Sequence, residues 1–223
     1  MKKKIIIFGC GGHAKIIADC IETTKIFKPL GFIDDKNYDI PFSKKIKYLG
    51  SIKNFNKIIK KHNLKTTFGI AAVGSNIVRR KIVEKVKEQN KNFQWANVIH
   101  PSAVISKSAK IGSGNMILAG SIICSETKIH NHVSINTGTY IDHNNNFLDF
   151  SSTGPGVTTG GNVKVGKDSF LGIGTAVRHN ITIGDNTVIG GQSFVCKNCQ
   201  SDSLYYGVPS KRIKKRNPND VYL

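Results

Sequence analysis

A single histidine, His143, stands among polar residues in the stretch INTGTYIDHNNNF, which runs from Ile135 to Phe147. An imidazole titrates near neutral pH, so it can take a proton from an attacking nucleophile and act as a general base. A histidine on an exposed turn can equally be a surface residue without a role. The structural elements around His143 must therefore show whether it is a catalytic residue or a surface residue.

A second stretch with chemical potential is GCGGHA, from Gly9 to Ala14, which follows a predicted strand and opens a predicted helix. Glycines let a phosphate approach the backbone, and a helix N-terminus favours its negative charge. The pattern indicates a nucleotide-phosphate site, with NAD as the plain candidate and a tight turn with two capping aspartates as the alternative. Against NAD, about 95 residues make only half of a dinucleotide-binding domain.

Metal or redox chemistry has weaker support. Five cysteines, scattered and odd in number, favour a reducing compartment over a disulfide framework. Cys196 and Cys199 form one C-x-x-C, which lacks the further ligands of a structural zinc site. A metal site between copies of the chain would draw on the histidines of its second part: His130, His132, His143 and His179. Two of these, His143 and His179, lie too far apart to share an ion within one chain, so we expect no metal.

The element that carries His143 is a repeat of six residues, which fits neither the 3.6-residue period of a helix nor the two-residue period of a strand. From Ile99 to Val195, fifteen of seventeen positions six residues apart are apolar, and only Thr153 and Thr159 interrupt the series. Such a repeat predicts a parallel β-helix, in which three hexads close one triangular coil of 18 residues. The repeated side chains point into the prism.

The first third of the chain shows a different pattern. Predicted strands (KKIIIFG, LGFIDD, TTFGIAAVGS) alternate with predicted helices (HAKIIADCIETTK, SIKNFNKIIKKHN, NIVRRKIVEKVKEQN). This alternation predicts a parallel sheet with crossover helices. We therefore predict a half-Rossmann-like α/β domain over 1–97, a β-helix over 98–200 and a basic C-terminal tail over 201–223.

The net charge is +19, with 21 Lys/Arg against 7 Asp/Glu (+14) in residues 1–97 and 12 against 7 (+5) in residues 98–223. This balance suits anionic partners or a lysine-rich solvated surface. The lysines are not interleaved with the aromatic residues of a nucleic-acid module, and no apolar run approaches a membrane span. The first apolar stretch is short and broken by glycine, unlike a signal peptide. We expect a cytoplasmic protein that binds no nucleic acid and does not insert stably into a membrane.

Taken together, the chain resembles the bacterial hexapeptide-repeat sugar O-/N-acyltransferases. The resemblance lies in the order of IIIFGCGGHAKII, GFIDD, AAVGSNIVRRK, VIHPSAVIS, INTGTYIDH, GNVKVGKDSFLGIGTAV and YGVPSKRI. It is greatest to N-acetyltransferases of UDP-linked 4-amino sugars of the bacillosamine type; a sialic acid O-acetyltransferase belongs to the same group. The resemblance implies a left-handed β-helix, a homotrimer with its active sites between prisms, and acetyl-CoA as co-substrate.

The resemblance also implies roles for single residues. His143 matches the general base, with Asn144 and Asn136 beside it in the catalytic set. The nucleotide-sugar is expected at Gly11, Gly12, His13, Asp34, Asp35 and Gly74. Acetyl-CoA is expected at Ser152, Gly161, Ile173, Gly191, Lys211 and Arg212. The backbone N–H of Gly161, one coil beyond His143, would hold the thioester oxygen.

The sequence departs from the family pattern at two of these positions. The family usually has Glu or Asp directly after the histidine, where this chain has Asn144, and often has histidine where this chain has Ser152. An asparagine can orient the imidazole ring by a hydrogen bond but supplies no charge.

We expect an acetyl-CoA-dependent N-acetyltransferase of a nucleotide-linked amino sugar. The alternatives are O-acetylation of a sugar such as sialic acid, a nucleotide-binding β-helical metalloenzyme, and a scaffold without activity. The sequence leaves the nucleotide, the sugar and the acceptor atom open.

Overall fold

The first part of the chain folds into a five-stranded parallel sheet with helices on both faces. A computed structural model describes residues 3–35, 46–217, 220 and 222. The strands are β1 (Lys3–Phe8), β2 (Phe27–Ile33), β3 (Tyr48–Gly50), β4 (Thr67–Ala71) and β5 (Gln94–Trp95), in the order β3-β2-β1-β4-β5. The helices are α1 (Gly12–Thr24), α2 (Phe55–Ile59) and α3 (Asn76–Gln89), with a 3-10 turn at Ile52–Asn54. The parts of the expected domains at 1–2, 36–45, 218–219, 221 and 223 lie outside the described residues.

The central strand β1 is apolar on both faces because both faces are covered. Ile5 and Ile7 pack in a cluster with α1, whereas Ile6 and Phe8 pack in a second cluster with α2 and α3. This alternation follows from the two-residue period of a strand. The cluster around α1 also contains Met116 of the second domain, so α1 lies between the sheet and the β-helix.

The second part of the chain is a parallel β-helix built from strands of two residues each. Every one of the seventeen positions of the six-residue series is the second residue of a strand. The strands are β6 (Val98–Ile99), β7 (Val104–Ile105), β8 (Lys110–Ile111), β9 (Met116–Ile117), β10 (Ile122–Ile123), β11 (Lys128–Ile129), β12 (Ser134–Ile135), β13 (Tyr140–Ile141), β14 (Asn146–Phe147), β15 (Ser152–Thr153), β16 (Thr158–Thr159), β17 (Lys164–Val165), β18 (Phe170–Leu171), β19 (Ala176–Val177), β20 (Thr182–Ile183), β21 (Val188–Ile189) and β22 (Phe194–Val195).

Each coil contains 18 residues, as the register shows. Ile117 pairs with Ile99 and Ile135, one coil before and one coil after it. The inward side chains form one continuous core along the prism, and the hydroxyl-bearing Thr153 and Thr159 are buried with them.

The outward side chains give the three faces of the prism different characters. The covered face (β6, β9, β12, β15, β18, β21) has buried residues such as Met116, because the α/β domain lies on it. The apolar face (β7, β10, β13, β16, β19, β22) displays side chains that include Val104, Tyr140 and Phe194, each more than a third exposed. The lysine face (β8, β11, β14, β17, β20) displays Lys110, Lys128 and Lys164 to solvent.

The C-terminal segment differs from the expected basic tail. Residues Ser203–Gly207 (β23) and Ser210–Lys215 (β24) form an antiparallel hairpin, and β23 pairs in parallel with β21. The hairpin thus extends the covered face by two strands. Its outer strand is rich in lysine and arginine because it lies at the open edge of that sheet.

The two domains are joined by a buried arginine on α3. Arg79 has no exposed surface, and its Nη1 donates to the carbonyl oxygens of Val73 (2.9 Å) and Gly74 (3.1 Å) in the first domain. Its Nε donates to the His132 carbonyl (2.9 Å) and its Nη2 to the Phe150 carbonyl (2.8 Å) in the β-helix. One side chain therefore fixes the loop after β4 against the prism.

Among the described residues, no helix is long and apolar enough to span a membrane.

The inward ladder should carry much of the stability of the β-helix. Phe147 is fully buried in it, so Phe147→Ala should lower the free energy of unfolding by about 3–5 kcal/mol, the usual cost of such a cavity. The measurement is the urea midpoint followed by circular dichroism. Lys164→Ala on the lysine face is the control and should leave the midpoint in place. Equal midpoints for the two variants would contradict this account of the core.

Candidate active site

A cavity of about 650 Å³ opens at the carboxyl ends of β1, β2 and β4, beside the first turns of α1 and α3. In an open parallel sheet this edge is the usual place for a ligand. All six residues predicted to bind the nucleotide-sugar line this cavity: Gly11, Gly12, His13, Asp34, Asp35 and Gly74. The structure therefore brings together residues that lie up to 63 positions apart in the sequence.

The glycine loop leaves the N-terminus of α1 open to a ligand. Gly11 is the N-cap residue, and no side chain caps the helix. A Cβ at Gly11 or Gly12 would meet no atom within 4 Å, so these glycines leave free space in front of the first helical N–H groups. Gly9 is needed for another reason: its φ is +108°, and a Cβ there would lie 2.8 Å from Val73. The arrangement suits a phosphate group.

The two aspartates at the end of β2 have different partners. Asp35 Oδ1 accepts hydrogen bonds from Ser51 Oγ (2.7 Å) and the Ile52 N–H (3.1 Å), and Lys85 Nζ lies 3.6 Å from Oδ2. Burial alone would raise the pKa of Asp35, but these hydrogen bonds and the lysine charge outweigh it and lower the pKa. The carboxylate is therefore a fixed negative charge on the cavity wall.

Cys10 lies beside the other aspartate and is unreactive there. Its Sγ donates a hydrogen bond to Asp34 Oδ2 (3.0 Å). Burial raises the pKa of the Cys10 thiol to about 12, and the hydrogen bond and charge of Asp34 act in the same direction. The thiol stays protonated at neutral pH and has a structural part in the cavity wall.

His13 lies where the cavity meets the β-helix. Its Nε2 is 3.5 Å from Ser134 Oγ, on the strand that directly precedes Asn136. Burial, and to a smaller extent the positive charge of Arg79, lowers the pKa of His13 to about 4. The ring is neutral at physiological pH, and it connects the nucleotide cavity to the prism.

His143 and Asn144, two of the three predicted catalytic residues, lie on the turn after β13. His143 is exposed, and its Nδ1 lies 2.8 Å from Asn144 Oδ1, while Asp142 Oδ1 accepts the backbone N–H of His143 (2.7 Å). An amide oxygen can only accept, so this hydrogen bond places the proton on Nδ1 and leaves the lone pair on Nε2. Asn144 thus orients the ring as expected, whereas the Asp142 carboxylate bonds to the backbone instead of the ring.

Gly161 lies against the His143 ring, as the 18-residue spacing predicts. A Cβ at Gly161 would lie 2.6 Å from both Cε1 and Nε2 of His143, so only glycine fits beside the ring in this position. Among the described residues the Gly161 N–H donates to no acceptor. This N–H is the type of group that can stabilise an oxyanion.

The remaining predicted residues of the β-helix lie on a different corner. We define the His143 corner as residues 142–145 and their equivalents 18 and 36 residues on, and the Asn136 corner as residues 136–139 and their equivalents up to 190–193. Ile173 is 60% exposed on the Asn136 corner, and Gly191 follows one coil later. A Cβ at Gly191 would lie 3.1 Å from the Ile173 carbonyl oxygen. Within one chain, the full width of the apolar face separates these two corners.

Three predicted cofactor residues lie away from both corners. Ser152 is buried on the covered face and donates from Oγ to Asn76 Oδ1 (2.6 Å), so its side chain is engaged between the domains. Lys211 and Arg212 are exposed on β24, where Arg212 Nε donates to Ser203 Oγ (2.9 Å). Because both residues belong to the hairpin that extends the covered face, the position of this hairpin determines how far along the prism they lie from His143.

Sequence reasoning missed two lysines that line the cavity. Lys81 and Lys85 lie four residues apart on α3, and both line the cavity with Val78 and Ile82. The signal was available in the sequence, since positions 78, 81, 82 and 85 share one helix face. The four histidines considered for a metal do not converge: among the described residues no group of three or more His, Cys, Asp or Glu could hold an ion.

Two family models match parts of the chain, one in the α/β domain and one in the later coils of the β-helix. Residues 4–86 match the PglD N-terminal domain, and residues 162–197 match the bacterial transferase hexapeptide repeat. The chain carries a PglD N-terminal domain followed by hexapeptide repeats. This confirms the predicted fold class and the resemblance to hexapeptide-repeat sugar acyltransferases.

One curated relative matches about half of the chain. A UDP-N-acetylbacillosamine N-acetyltransferase of Bacillus subtilis is 32% identical over 117 residues, which are 52% of this chain and 52% of that protein. The chain therefore matches about half the length of this relative.

Solved structures match nearly the whole chain. PerB from Caulobacter crescentus, in complex with CoA and GDP-perosamine, has a TM-score of 0.86 at 28% identity and covers 95% of this chain and 97% of its own. A histidine variant of GDP-perosamine N-acetyltransferase from the same organism gives a TM-score of 0.87. The acetyltransferase domain of PglB from Neisseria gonorrhoeae, with acetyl coenzyme A, has a TM-score of 0.85 at 24% identity, covers 96% of this chain and 100% of its own, and shows the same fold.

The buried histidines should make the protein sensitive to acid. The pKa values of His13 and His132 are lowered from 6.5 to about 4, mainly by burial. Between these limits the unfolded chain binds more protons, so stability should be fully present above pH 6.5 and fall towards pH 4. Between pH 6.5 and pH 4, the urea midpoint should fall less for His13→Gln and for His132→Gln than for the wild-type protein. His179→Gln, on the exposed surface, is the control, and a slope unchanged in both buried variants would contradict the account.

Proposed function

We propose that this chain is an acetyl-CoA-dependent N-acetyltransferase that acts on a nucleotide-linked 4-amino sugar, with His143 as the general base. The observation that carries the proposal is the combination of two sites in one chain. A cavity whose glycine loop suits a phosphate lies at the end of the α/β sheet, and an exposed histidine on the prism has its Nε2 lone pair left free by Asn144. The match to PerB, solved with CoA and GDP-perosamine, supports this pairing.

In the proposed reaction the neutral amine of the sugar attacks the thioester carbon of acetyl-CoA. The new N–C bond forms as the amine proton passes to Nε2 of His143. The Nδ1–H group keeps its hydrogen bond to Asn144 Oδ1. The carbonyl oxygen becomes an oxyanion, which the free N–H of Gly161 is suited to stabilise. Collapse of this intermediate breaks the C–S bond, and the proton held by His143 neutralises the departing CoA thiolate.

The nucleotide-sugar is proposed to bind with its pyrophosphate at the N-terminus of α1, in front of Gly11 and Gly12. Asp34 and Asp35 would contact the ribose or the base, and Lys81 and Lys85 add positive charge to the wall opposite the loop. The sugar would then leave the cavity past the neutral ring of His13 towards the Asn136 corner, because His13 lies against Ser134.

The co-substrate is proposed to lie along the prism between chains. Exposed Ile173 and Gly191 offer an apolar surface on the Asn136 corner, and Lys211 and Arg212 offer charge for the phosphates of CoA. Ser152 does not fit this role as well, since its hydroxyl is bound to Asn76. The five free cysteines support a reducing compartment, and we propose that the enzyme acts in the cytoplasm.

A homotrimer would unite the two corners. The apolar face exposes Val104 (60%), Tyr140 (51%) and Phe194 (38%), and Thr158 is its one exposed polar strand residue. A partner would cover such a face. If three chains pack with this face on a threefold axis, the Asn136 corner of each chain meets the His143 corner of the next. The nucleotide cavity and Asn136 would come from one chain, and His143 and Gly161 from its neighbour.

The direct test is an assay of acetyl transfer to a UDP-linked 4-amino sugar and to GDP-perosamine. The rate is measured as the release of free CoA. His143→Ala should lower kcat by about 10²–10⁴-fold, the usual contribution of a general base. KM for acetyl-CoA should stay nearly unchanged, because the ring acts in the transition state. His179→Ala changes the exposed histidine two coils further along the same corner and is the matched control. A His143→Ala enzyme with wild-type kcat would refute the assignment.

Asn144→Asp tests the contact with the ring. A carboxylate at this position would stabilise the imidazolium, so the rise of kcat/KM with pH should move to higher pH. At saturating pH the rate should rise modestly because the base is stronger. Asn144→Ala, which removes the acceptor of the Nδ1 proton, should lower kcat without such a displacement. A pH profile that is the same in all three proteins would argue against a hydrogen bond between residue 144 and the base.

The trimer makes a prediction of its own. Tyr140→Lys places a charge in the apolar face and should convert the trimer to monomers in sedimentation velocity, with loss of activity, whereas Lys164→Ala should not. Co-expressed Asn136→Ala and His143→Ala chains should recover about a quarter of the wild-type sites. An intact site needs its Asn136 from a His143→Ala chain and its His143 from an Asn136→Ala neighbour, and each occurs about half of the time in randomly mixed trimers. A fully active monomer, or no recovery in the mixed enzyme, would contradict a shared site.

A further inference from the structure

The two threonines in the apolar ladder are the only polar residues among its seventeen inward positions, which the structure describes in full. Thr153 is 2% exposed and Thr159 is 7% exposed. A buried hydroxyl costs stability unless it is hydrogen-bonded, so each threonine needs a reason for its place. Thr159 Oγ1 has no hydrogen-bond partner among the described residues, whereas Thr153 Oγ1 has two.

The hydroxyl of Thr153 binds the backbone of Asn136. It accepts the Asn136 N–H at 3.0 Å and lies 3.0 Å from the hydroxyl of Thr139, which closes the same corner. Both bonds are made one coil away from Thr153. A side chain inside the prism therefore contacts the corner that carries the proposed catalytic asparagine.

This contact replaces a regular bond of the β-helix. On the same corner of the other coils, the residue after the strand donates its N–H to a backbone carbonyl one coil on. Leu118 donates to Ile135 (2.9 Å), Gly154 to Leu171 (2.7 Å) and Gly172 to Ile189 (2.7 Å). At Asn136 the N–H turns to the Thr153 side chain, and the pairing of β12 with β15 is reduced to one residue pair, Ser134 with Ser152.

The other polar groups of Asn136 are also fixed, with one exception. Its carbonyl accepts from Ser121 Oγ (3.0 Å), and its side-chain Oδ1 accepts from the Thr137 N–H (2.8 Å). Its Nδ2 donates to no acceptor in the described parts of the chain. Asn136 is thus held at its backbone N–H, its backbone carbonyl and its side-chain Oδ1. Its Nδ2 remains available to donate to an oxygen of the bound reactants.

We propose that Thr153 is a positioning residue for Asn136: its hydroxyl opens the backbone ladder at this one corner and fixes the asparagine amide for the reaction. The proposal rests on the proposed acetyltransferase function. It also explains why the apolar series is broken at this position, since an apolar residue there would return the Asn136 N–H to the carbonyl of residue 153.

The test compares three variants in acetyl transfer to a UDP-linked 4-amino sugar and to GDP-perosamine. Thr153→Val keeps the shape but loses the hydroxyl, and it should lower kcat by about ten- to a hundredfold, the effect of a small displacement of a catalytic group. KM for both substrates should change little. Thr153→Ser should restore the rate. Thr159→Val, the matched control, should keep wild-type kcat and should not lower the melting temperature, because the hydroxyl it removes has no partner.

A second comparison separates positioning from general stability. If Thr153 acts through Asn136, then Thr153→Val should have no further effect on kcat in an Asn136→Ala background. The proposal is overturned if Thr153→Val is as fast as wild type, if Thr153→Ser is as slow as Thr153→Val, or if the effect persists in full without Asn136. Should Thr153→Val fail to fold, Thr153→Ala gives the same comparison.

A crystal structure of Thr153→Val distinguishes failure of the proposal from failure of the proposed function. The Asn136 N–H is expected within hydrogen-bond distance of the residue 153 carbonyl oxygen, as on the other coils. If the wild-type protein acetylates neither amino sugar, the proposed function fails. The crystal structure then still decides whether Thr153 displaces Asn136, and an Asn136 backbone in its wild-type position would overturn the inference.

Discussion

Each group of 18 residues returns the chain to the same corner of the prism, and the candidate site depends on this constraint. The backbone ladder fixes it, since residues 18 apart pair in register from Val98 to Val195 with one break beside Asn136. His143 and Gly161 therefore meet because one coil separates them, although nothing in their local sequence brings them together. The fit is close: a single Cβ at Gly161 would overlap the imidazole ring. A change of one residue in the length of this coil would separate the His143 ring from the Gly161 N–H beside it.

A second constraint joins this prism to the nucleotide cavity. Arg79 is a fully buried cation whose hydrogen bonds go mainly to backbone carbonyl oxygens of both domains. Burial lowers its pKa to about 10, so the side chain remains charged at neutral pH. Removal of the side chain would leave several buried carbonyl groups without a donor, which is costly. Because two of those carbonyls belong to Val73 and Gly74, the same side chain sets the position of the cavity wall relative to the β-helix.

The sequence predicted the periodic parts of the molecule well and the contacts between them poorly. All seventeen ladder positions were found because a six-residue repeat is a local signal. The six residues that the family resemblance implied for the nucleotide-sugar line one cavity, whereas Lys81 and Lys85 on its wall were missed. The engagement of Ser152 with Asn76 could not be predicted, since it joins residues 76 positions apart. The C-terminal hairpin was missed for a related reason: β23 pairs with β21 after the six-residue series has ended, so no period announces it. The sequence did not show whether the Asn144 side chain contacts the His143 ring, and the structure places its Oδ1 2.8 Å from Nδ1.

Each of the three faces of the prism has a different part in the proposed reaction. The covered face holds the α/β domain, so an amino sugar that passes His13 arrives beside Ser134 and the Asn136 corner of its own chain. The His143 corner of that chain lies across the apolar face and is out of reach. The lysine face has charged side chains along its length, which disfavour burial against another chain. Packing through the apolar face is then the arrangement that covers exposed side chains and also brings a histidine to the sugar. The two requirements select the same surface, and this agreement is the strongest argument that the site is shared between chains.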